Sequence, residues 1–397
     1  YIYKVEIIYQ PFSTELFLGI KRVFICLLIA VAVALPSSDF YASFIREHKP
    51  LRYYTNPTYY IFSAIKYVNK KFKVDSNAPI IPLGLDVKIS ASRTGRELVI
   101  LVVGETARAD RFSLNGYSRK TNAYLETEKV ISFPDFYSCG TATATSVPCM
   151  FSHLTKNEFS VEKAARYENL LDVLKHAGVN VLWRDNNSDS KGVALRVPYE
   201  SYKGKDKNTI CNPECRDVGM LVDLQDYINQ NQKGDIFIVL HQMGNHGPAY
   251  YKRYPKDFER FKPVCKTNQL GDCSIEEINN AYDNAILYTD YFLSKVISLL
   301  KQNSPAFKTA MFYMSDHGES LGEGGIYLHG LPYIMAPEAQ IHVPAVMWFG
   351  KGFKVNKTLL RSRKAERYSH DNIFHTVLGF MGIKTTVYNK QLDILNH

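Results

Sequence analysis

The chain has 397 residues, a formal net charge of +9 and 46% hydrophobic residues, and it is rich in tyrosine (27) and phenylalanine (22). This length allows one large α/β domain with a well-filled core and a further segment. The positive charge favours anionic partners such as phosphates or a membrane surface. No basic recognition helix, zinc-finger spacing or RNP-type aromatic motif occurs in the sequence, so nucleic acid is not an expected partner.

A strongly apolar stretch, residues 23–35, lies near the start of the chain. It is shorter than a typical membrane span, but residues 17–20 can extend it past two basic residues. A buried core helix is one alternative. A signal peptide is another, although no A-x-A-like cleavage site follows. We predict one transmembrane helix near residues 20–36. Because the chain begins at Tyr1 rather than at methionine, we expect it to be part of a longer protein with earlier membrane helices.

The segment after this helix, residues 37–80, is rich in tyrosine, phenylalanine and lysine. Tyrosine with lysine suits a position at a lipid interface, and a linker helix packed on the domain explains the composition equally well. A proline-rich connector follows at residues 75–84. We therefore expect three parts: the end of a membrane domain at 1–37, juxtamembrane interfacial helices and linker at 38–84, and a catalytic domain at 85–397.

Strands and helices alternate from residue 97 onwards. Apolar, β-prone runs predict strands at residues 97–103, 180–184, 235–240, 309–314 and 343–349. Helical spacing predicts helices at residues 164–178, 275–302 and 372–382. Alternation of this kind predicts an α/β/α sandwich with a mostly parallel central sheet.

Metal-binding residue types follow three of these strands. They are Glu105 after the first strand, His241 and His246 after the third, and Asp316 and His317 after the fourth. The carboxyl ends of parallel strands meet at one edge of a sheet, so we expect these side chains to lie close together. One such ending is weak support, because an aspartate there more often closes a turn. Three endings with carboxylates and imidazoles predict a zinc or manganese site.

A hydroxyl-rich loop, residues 138–150, offers a nucleophile. Cys139 and Cys149 flank the loop and would clamp it if they were bonded. The alternative is a surface turn in which serine and threonine form only local hydrogen bonds. A threonine held beside a metal ion has a lowered hydroxyl pKa, so it can attack at neutral pH.

The cysteines indicate the compartment. Six of the seven fall in three close pairs: Cys139/Cys149, Cys211/Cys215 and Cys265/Cys273. Six cysteines allow many pairings, of which these short-range ones are the simplest. CxxC zinc spacing is absent, so we expect three disulfides in an oxidising compartment, with the catalytic part in a periplasm. Only three residues lie between Cys211 and Cys215, so the sequence supports this disulfide less strongly than the other two.

Five segments stand in one order along the chain: VVGETARADRFSLNGYSRKT (102–121), SCGTATATSVPCMFS (138–152), LWRDNNSDSKGV (182–193), LHQMGNHGPAY (240–250) and SDHGESLGEGGIYLHG (315–330). Together they closely resemble the phosphoethanolamine–lipid A transferases, a family that includes the mobile colistin-resistance enzymes within the alkaline phosphatase/sulfatase superfamily. The resemblance covers roughly residues 97–385, and DFYASFIREHKPLRYY (39–54) matches the linker of that family.

The resemblance implies roles for particular residues. The positions that match the tight zinc site are Glu105, Thr143, Asp316 and His317, with Thr143 also matching the nucleophile that becomes phosphoethanolaminylated. The positions that match the pair contacting the substrate phosphate or a second zinc ion are His246 and His329. The positions that match substrate contacts are Asn187, Lys191 and Glu319. Lys191 would supply positive charge to the phosphoryl oxygens, and Glu319 would receive the ethanolamine ammonium.

Other polar residues have simpler interpretations. We interpret His241 as a histidine near the site rather than a ligand. Asp185 and Asp189 either orient Lys191 or have no role in the site. The histidines without an assigned partner are His153, His176 and His370.

The family likeness implies a two-step reaction. Thr143 would take phosphoethanolamine from phosphatidylethanolamine, and a lipid A phosphate or a core sugar hydroxyl of lipopolysaccharide would then receive it. Such a protein would lie in the inner membrane of a Gram-negative bacterium, with a periplasmic sulfatase-like domain, and we expect a monomer. Its cofactor would be Zn²⁺ in one tight site, and a looser second site stays open. Lower negative charge on lipid A would weaken binding of polymyxin.

Three alternatives are weighed against this interpretation. The formylglycine signature of sulfatases requires an arginine where Met150 stands, which argues against a sulfatase. A lipoteichoic-acid-synthase-like enzyme shares the fold and a threonine nucleophile, but three disulfides fit a Gram-negative periplasm better. A disulfide-stapled zinc-binding receptor is the alternative that is not an enzyme. Release of diacylglycerol from phosphatidylethanolamine would distinguish it from a transferase.

Overall fold

The computed structural model describes residues 11–34, 48–73, 79–90 and 94–395. Helix α1, Phe12–Ala34, has 23 residues and no buried side chain. At about 1.5 Å per residue it is roughly 34 Å long, enough to cross the apolar core of a bilayer. It begins earlier than the predicted span, and residues 35–36 of that span lie outside the described part. Among the described residues it is the one helix long and apolar enough to cross a membrane.

Helix α2, Thr58–Lys73, follows a 3-10 turn at Lys49–Tyr54. Tyr60 and Phe62 on this helix are exposed, as expected for an interfacial segment. Residues 39–47 of the predicted linker and residues 75–78 of the predicted connector lie outside the described part. The three predicted parts of the chain, 1–37, 38–84 and 85–397, stay predictions.

A seven-stranded sheet forms the centre of the main domain. Its strands are β1 (Arg96–Gly104), β2 (Ile131–Phe133), β3 (Asn180–Asp185), β4 (Tyr199–Ser201), β5 (Ile236–His241), β6 (Phe307–Ser315) and β7 (Ala345–Phe349). Their order across the sheet is β2-β7-β6-β1-β5-β3-β4. Of these seven strands, β7 runs against the others and pairs antiparallel with both β6 and β2. The remaining neighbours pair in parallel, as predicted.

Helices and small ribbons surround this sheet. The further helices are α3 (Ala123–Thr127), α4 (Thr143–Met150), α5 (Val161–Ala164), α6 (Leu170–His176), α7 (Leu224–Gln230), α8 (Ile275–Asn303), α9 (Glu338–Ile341), α10 (Lys357–Ser362) and α11 (Ile373–Phe380). The 3-10 turns are Ala109–Arg111, Ser113–Asn115, Asp217–Leu221, Tyr250–Lys252, Lys256–Phe258, Leu270–Asp272, Glu323–Gly325, Tyr333–Met335, His370–Asn372 and Lys390–Leu392. The two-stranded ribbons pair Lys88–Ile89 with Ile383–Lys384, Ser320–Leu321 with Tyr327–Leu328, and Phe136–Tyr137 with Tyr368–Ser369.

Alternate residues of β1 face two separate cores. Val99 and Leu101 pack in a cluster with α6 and α11, whereas Leu98 and Ile100 pack in a cluster with α7 and α8. A strand buried on both faces needs a nearly continuous apolar run, which explains the sequence of β1. The architecture is therefore the predicted α/β/α sandwich.

One predicted helix, residues 164–178, is wrong as a single element. The chain forms α5 and then α6, because Asn169 caps a new helix start. The Asn169 side chain accepts a hydrogen bond from the backbone of Leu171, and Asp172 accepts one from the backbone of Asn169. A capping box of this kind stabilises a helix N-terminus and separates the two segments.

Candidate active site

The metal-binding residue types of three strands meet at one edge of the sheet, as the sequence predicts. The last residues of β1 and β6, Gly104 and Ser315, lie opposite each other, so Glu105 and Asp316 follow side by side. Val103 of β1 pairs with His241 at the end of β5. This edge is where open α/β sheets bind ligands.

Glu105, Asp316 and His317 form a buried cluster. One ligand atom from each side chain lies within 4.8 Å of the other two. Nε2 of His317 is 3.4 Å from Oε1 of Glu105 and 3.4 Å from Oδ2 of Asp316. The other oxygen of Asp316, Oδ1, accepts hydrogen bonds from the backbone of Thr106 and His317. Oδ2 of Asp316 is buried and has no hydrogen-bond partner.

The hydrogen bond of the second ring nitrogen orients His317. Nδ1 lies 2.9 Å from the carbonyl oxygen of Gly318, so Nδ1 carries the proton that it donates there. Nε2 then faces the two carboxylates, and when it is unprotonated its lone pair can bind a metal ion. With the imidazole neutral, as in a metal ligand, the two buried carboxylates give the cluster a net charge of −2. A divalent cation would balance that charge and give the unpartnered oxygen of Asp316 a ligand.

The pKa values of the cluster reflect two buried carboxylates that share one cation. Burial opposes ionisation of Glu105, but the hydrogen bond and charge of His317 hold the pKa of that carboxyl well below its ordinary value. Burial, followed by the charge of Glu105, raises the pKa of Asp316. Burial opposes protonation of His317, yet Asp316 and Glu105 raise the pKa of its imidazole. Protonated His317 thus partly plays the role that a metal cation would play.

Thr143, the predicted nucleophile, contacts this cluster. Its hydroxyl donates a hydrogen bond to Oε2 of Glu105 at 3.0 Å, and its Oγ1 lies 3.3 Å from Nε2 of His317. Thr143 is the first residue of α4. The partial positive charge of a helix N-terminus therefore lies beside its oxygen, where it favours negative charge.

Two glycines allow the strand ends to approach so closely. A Cβ atom on Gly318 would lie 2.1 Å from the carbonyl oxygen of Ala339. A Cβ atom on Gly244, whose φ is +49°, would lie 2.8 Å from the carbonyl oxygen of Glu105. Larger residues at either position would displace the backbone that carries a candidate ligand.

His246 and His329 lie on the other side of His317. The ring centroids of His317 and His329 are 4.2 Å apart, and those of His329 and His246 are 5.8 Å apart. Nδ1 of His329 is 3.0 Å from Oε1 of the buried Glu319. Burial lowers the pKa of His246. The structure therefore brings this predicted pair, and Glu319 with it, next to the cluster.

Asn187 and Lys191 occupy different positions relative to the cluster. The Asn187 amide donates to Oε2 of Glu105 at 2.7 Å and to the carbonyl oxygen of Gln242 at 2.8 Å, so it orients a candidate ligand. Nζ of Lys191 donates to Ser188. Lys191 lines an open cavity of about 770 Å³ together with Ala144, the residue after Thr143. Substrate binding by Asn187 and Lys191 stays a prediction.

The other histidines singled out from the sequence contact structural neighbours. Nδ1 of the fully buried His241 is 2.8 Å from Oδ2 of Asp185, which supports the interpretation of a histidine near the site. Nδ1 of His370 accepts a hydrogen bond from the backbone of Cys139, and His176 contacts Glu168. Two further residues had no assigned role in the sequence analysis. His153 packs against Tyr167 and Phe374, and Asp189 contacts Lys191.

The three predicted disulfides are present. The S–S distances are 2.21 Å for Cys139–Cys149, 2.07 Å for Cys211–Cys215 and 2.14 Å for Cys265–Cys273. The first bond joins the loop before Thr143 to the end of α4. It therefore clamps the segment that carries the candidate nucleophile.

Sequence reasoning missed three residues that support the cluster. Thr106 has a φ of +61° and donates from Oγ1 to Oε1 of Glu105. The buried Arg108 donates to the carbonyl oxygen of Glu319 at 3.1 Å, and Arg253 donates to that of His246 at 2.6 Å. Thr106 and Arg108 stand within three residues of Glu105, so their positions pointed to the site, whereas that of Arg253 did not.

Comparison with known proteins identifies the family. A family model described as Sulfatase matches residues 97–383, and one described as Phosphoethanolamine transferase EptA/EptB matches residues 1–72. The chain is 42% identical over 389 residues to phosphoethanolamine transferase EptA of Escherichia coli (strain K12), covering 96% of this chain and 70% of that protein. This chain belongs to the phosphoethanolamine transferase family.

Further relatives of this transferase agree. The chain is 47% identical over 345 residues to phosphatidylethanolamine transferase Mcr-1 of Escherichia coli, and the match covers 84% of this chain and 63% of that protein. The soluble domain of lipooligosaccharide phosphoethanolamine transferase A from Neisseria meningitidis superposes with a TM-score of 0.77 at 42% identity, covering 81% of this chain and 98% of that one. The integral membrane protein EptA from the same organism gives a TM-score of 0.81 at 37% identity, covering 98% and 74%.

Proposed function

We propose that this transferase moves phosphoethanolamine from phosphatidylethanolamine to lipid A, or to another lipopolysaccharide acceptor, with zinc as its cofactor and a phospho-threonine intermediate on Thr143. Family membership supports the reaction class. Relatives are named phosphatidylethanolamine transferase and Kdo(2)-lipid A phosphoethanolamine 7''-transferase, which supports the donor and the class of acceptor.

One observation carries the proposal: the hydroxyl of Thr143 lies 3.0 Å from Glu105 and 3.3 Å from His317, within the buried carboxylate–imidazole cluster. A nucleophilic hydroxyl needs a partner that accepts its proton and a positive field that stabilises the oxygen it leaves. Glu105, Asp316, His317 and Thr143 would hold the zinc ion. When bound, zinc supplies positive charge that lowers the pKa of the hydroxyl and neutralises the phosphoryl oxygens.

In the first step the oxygen of Thr143 forms a bond to the phosphorus of phosphatidylethanolamine. The bond from phosphorus to the glycerol oxygen breaks, and diacylglycerol leaves. Oε2 of Glu105, to which the hydroxyl of Thr143 already donates, accepts the hydroxyl proton, and solvent at the open side of the site protonates the departing oxygen. Positioning and neutralisation of charge are the main requirements of phosphoryl transfer.

In the second step an oxygen of the acceptor attacks the phosphorus on Thr143, and the threonine oxygen leaves and takes back the proton held by Glu105. The buried carboxylate of Glu319, which has one oxygen without a hydrogen-bond partner, receives the ethanolamine ammonium. Lys191 provides positive charge at the open side of the site. The product carries an added cation, so lipid A loses net negative charge and binds polymyxin less strongly.

The placement of the protein follows from its substrates. Both are membrane lipids, and α1 is long enough to anchor the catalytic domain in the bilayer. The three disulfides favour the periplasmic side of an inner membrane. We accordingly place the catalytic domain there and expect a monomer, with a second, looser zinc site near His246 and His329.

The test uses the full-length protein expressed in a polymyxin-sensitive Gram-negative strain. We expect mass spectrometry of lipid A to show added phosphoethanolamine, and purified protein to release diacylglycerol from fluorescent phosphatidylethanolamine. Unmodified lipid A together with diacylglycerol release would mean another acceptor. Zinc binding without any diacylglycerol release would favour the receptor alternative and contradict the proposal.

A further inference from the structure

A basic cavity is lined in part by the segment that follows His246, and its lining contains none of the candidate active-site residues. It has a volume of about 460 Å³, and its charged lining residues are Arg216, Lys252, Lys256, Lys266 and Glu259. Four cations face one carboxylate there. An unbalanced set of positive charges in a concave surface attracts anions.

Arg216 is the unusual member of this set. It is only 5% exposed, and its guanidinium donates to two backbone carbonyl oxygens, those of Lys252 and Asn212. Its Nε is buried without a hydrogen-bond partner. Within the described ranges no carboxylate forms an ion pair with it. A buried arginine is normally paired with an anion, because an uncompensated charge is costly inside a protein.

The two carboxylates nearest to Arg216 in sequence have other partners. Glu214 forms an ion pair with Arg253. Asp217 accepts hydrogen bonds from the Asn186 amide and from the backbone of Met243 and Gly244. Burial accordingly lowers the pKa of Arg216, with Glu214 and Asp217 compensating only in part. A bound anion would supply the charge that this guanidinium lacks.

The cavity is built into a stapled part of the fold. Asn212, which lines it, lies inside the loop closed by Cys211 and Cys215, and Lys266 follows directly after the bonded Cys265. Closing short loops with disulfides limits their freedom. Arg216 and Lys266, each of which directly follows a bonded cysteine, are thus held at the cavity by a restrained backbone.

A separate short segment, from His246 to Lys252, connects the cavity to the candidate active site. Lys252 lies six residues after His246, so their Cα atoms are at most roughly 22 Å apart. Arg253 donates from Nε to the carbonyl oxygen of His246. The wall of the cavity is thus joined through a short segment to a residue of the candidate active site.

From these contacts we infer that the cavity is a second anion-binding site, which holds a phosphate group of the acceptor while another group of the same molecule reacts at Thr143. This inference rests on the proposed function. Lysine and arginine N–H groups suit phosphate oxygens in charge and geometry. The site would act on acceptor affinity and not on the chemical step.

The test variant combines Lys256→Glu with Lys266→Glu in the full-length protein. Both side chains are exposed, so folding should be preserved. The control combines Lys351→Glu with Lys354→Glu, which makes the same charge change at two exposed positions after the end of β7. That end of β7 pairs with the start of β6, at the edge of the sheet opposite Thr143.

With doubly phosphorylated lipid A, we expect the test variant to need about ten times more acceptor for half-maximal transfer, or roughly 1.4 kcal/mol. Its maximal rate, its release of diacylglycerol without acceptor, and all parameters of the control variant should stay unchanged. With singly phosphorylated lipid A, whose one phosphate is used in the reaction, the variant and the unaltered protein should behave alike.

Three results would overturn the inference. The first is an unchanged acceptor requirement in the test variant, and the second is an equal rise with both forms of lipid A. The third is a variant whose acceptor requirement is unchanged but whose activity no longer responds to phosphatidylglycerol in the vesicles, because that would assign the cavity to a lipid headgroup. Failure of the unaltered protein to release diacylglycerol would instead contradict the proposed function.

Discussion

The turn that carries His317 has no space for a side chain at Gly318, and this makes a sharp prediction possible. The backbone N–H of Gly318 donates to the carbonyl oxygen of Gln340 at 2.9 Å, which holds the two segments together. In Gly318→Ala the new Cβ would lie 2.1 Å from the carbonyl oxygen of Ala339. Both sides of that contact are backbone, so no flexible side chain can move away.

The size of the displacement follows from this distance. To reach the 3.4 Å at which ordinary contact begins, the separation must grow by about 1.3 Å. Part of that movement reaches His317, the adjacent residue. Metal–ligand distances tolerate only about 0.2 Å, and a misplacement of about 1 Å can cost roughly 100-fold in rate. We therefore expect Gly318→Ala to lose about 100-fold in diacylglycerol release and to bind zinc more weakly, with about 1–3 kcal/mol less stability from the crowding.

The assay compares initial rates on fluorescent phosphatidylethanolamine, zinc content and thermal unfolding for three proteins. Gly271→Ala is the matched control, because a Cβ there would have no atom within 4 Å and φ is not positive. It should retain full activity. A folded Gly318→Ala protein with unchanged rate and zinc content would refute the argument from close approach.

Three other perturbations test separate parts of the account. Asn187→Ala removes the amide that orients Glu105 and should weaken zinc binding about tenfold in a chelator competition; unchanged affinity would contradict that role. Dialysis against a chelator should abolish diacylglycerol release and zinc should restore it, whereas equal recovery with magnesium would contradict zinc as the cofactor. Burial raises the pKa of Asp290 to about 7, so its contribution to stability is greatest below about pH 4 and falls as the pH rises to about 7. Asp290→Asn should therefore lose less in Tm between about pH 5 and pH 8 than the unaltered protein; identical pH dependence would contradict this assignment.

The sequence predicted the catalytic edge of the sheet better than it predicted the supporting structure. Glu105 and Asp316 each follow a strand with a long apolar run, residues 98–103 and 310–314. Strand ends of parallel sheets converge whatever the intervening chain does. Thr143 came from the family resemblance and from its hydroxyl-rich loop. The structure then placed all three within one cluster.

Other features depend on tertiary contacts that a sequence pattern does not encode. The interruption between α5 and α6 arises from a capping box at Asn169, whose residue types also occur inside loops. The reversed direction of β7 leaves its apolar pattern unchanged, since a buried strand is apolar in either direction. Arg216 and Arg253 act through backbone carbonyl oxygens, which every residue has, so no motif marks them.

Peptide mapping by mass spectrometry after incubation with phosphatidylethanolamine, without acceptor, tests the central claim most directly. Zinc-loaded protein should carry phosphoethanolamine on Thr143, and the group should leave when lipid A is added. Thr143→Ala should show neither the adduct nor turnover, while Thr143→Ser, which keeps a hydroxyl, should form the adduct. Normal turnover by Thr143→Ala, or an adduct on a different residue, would contradict the assignment of the nucleophile.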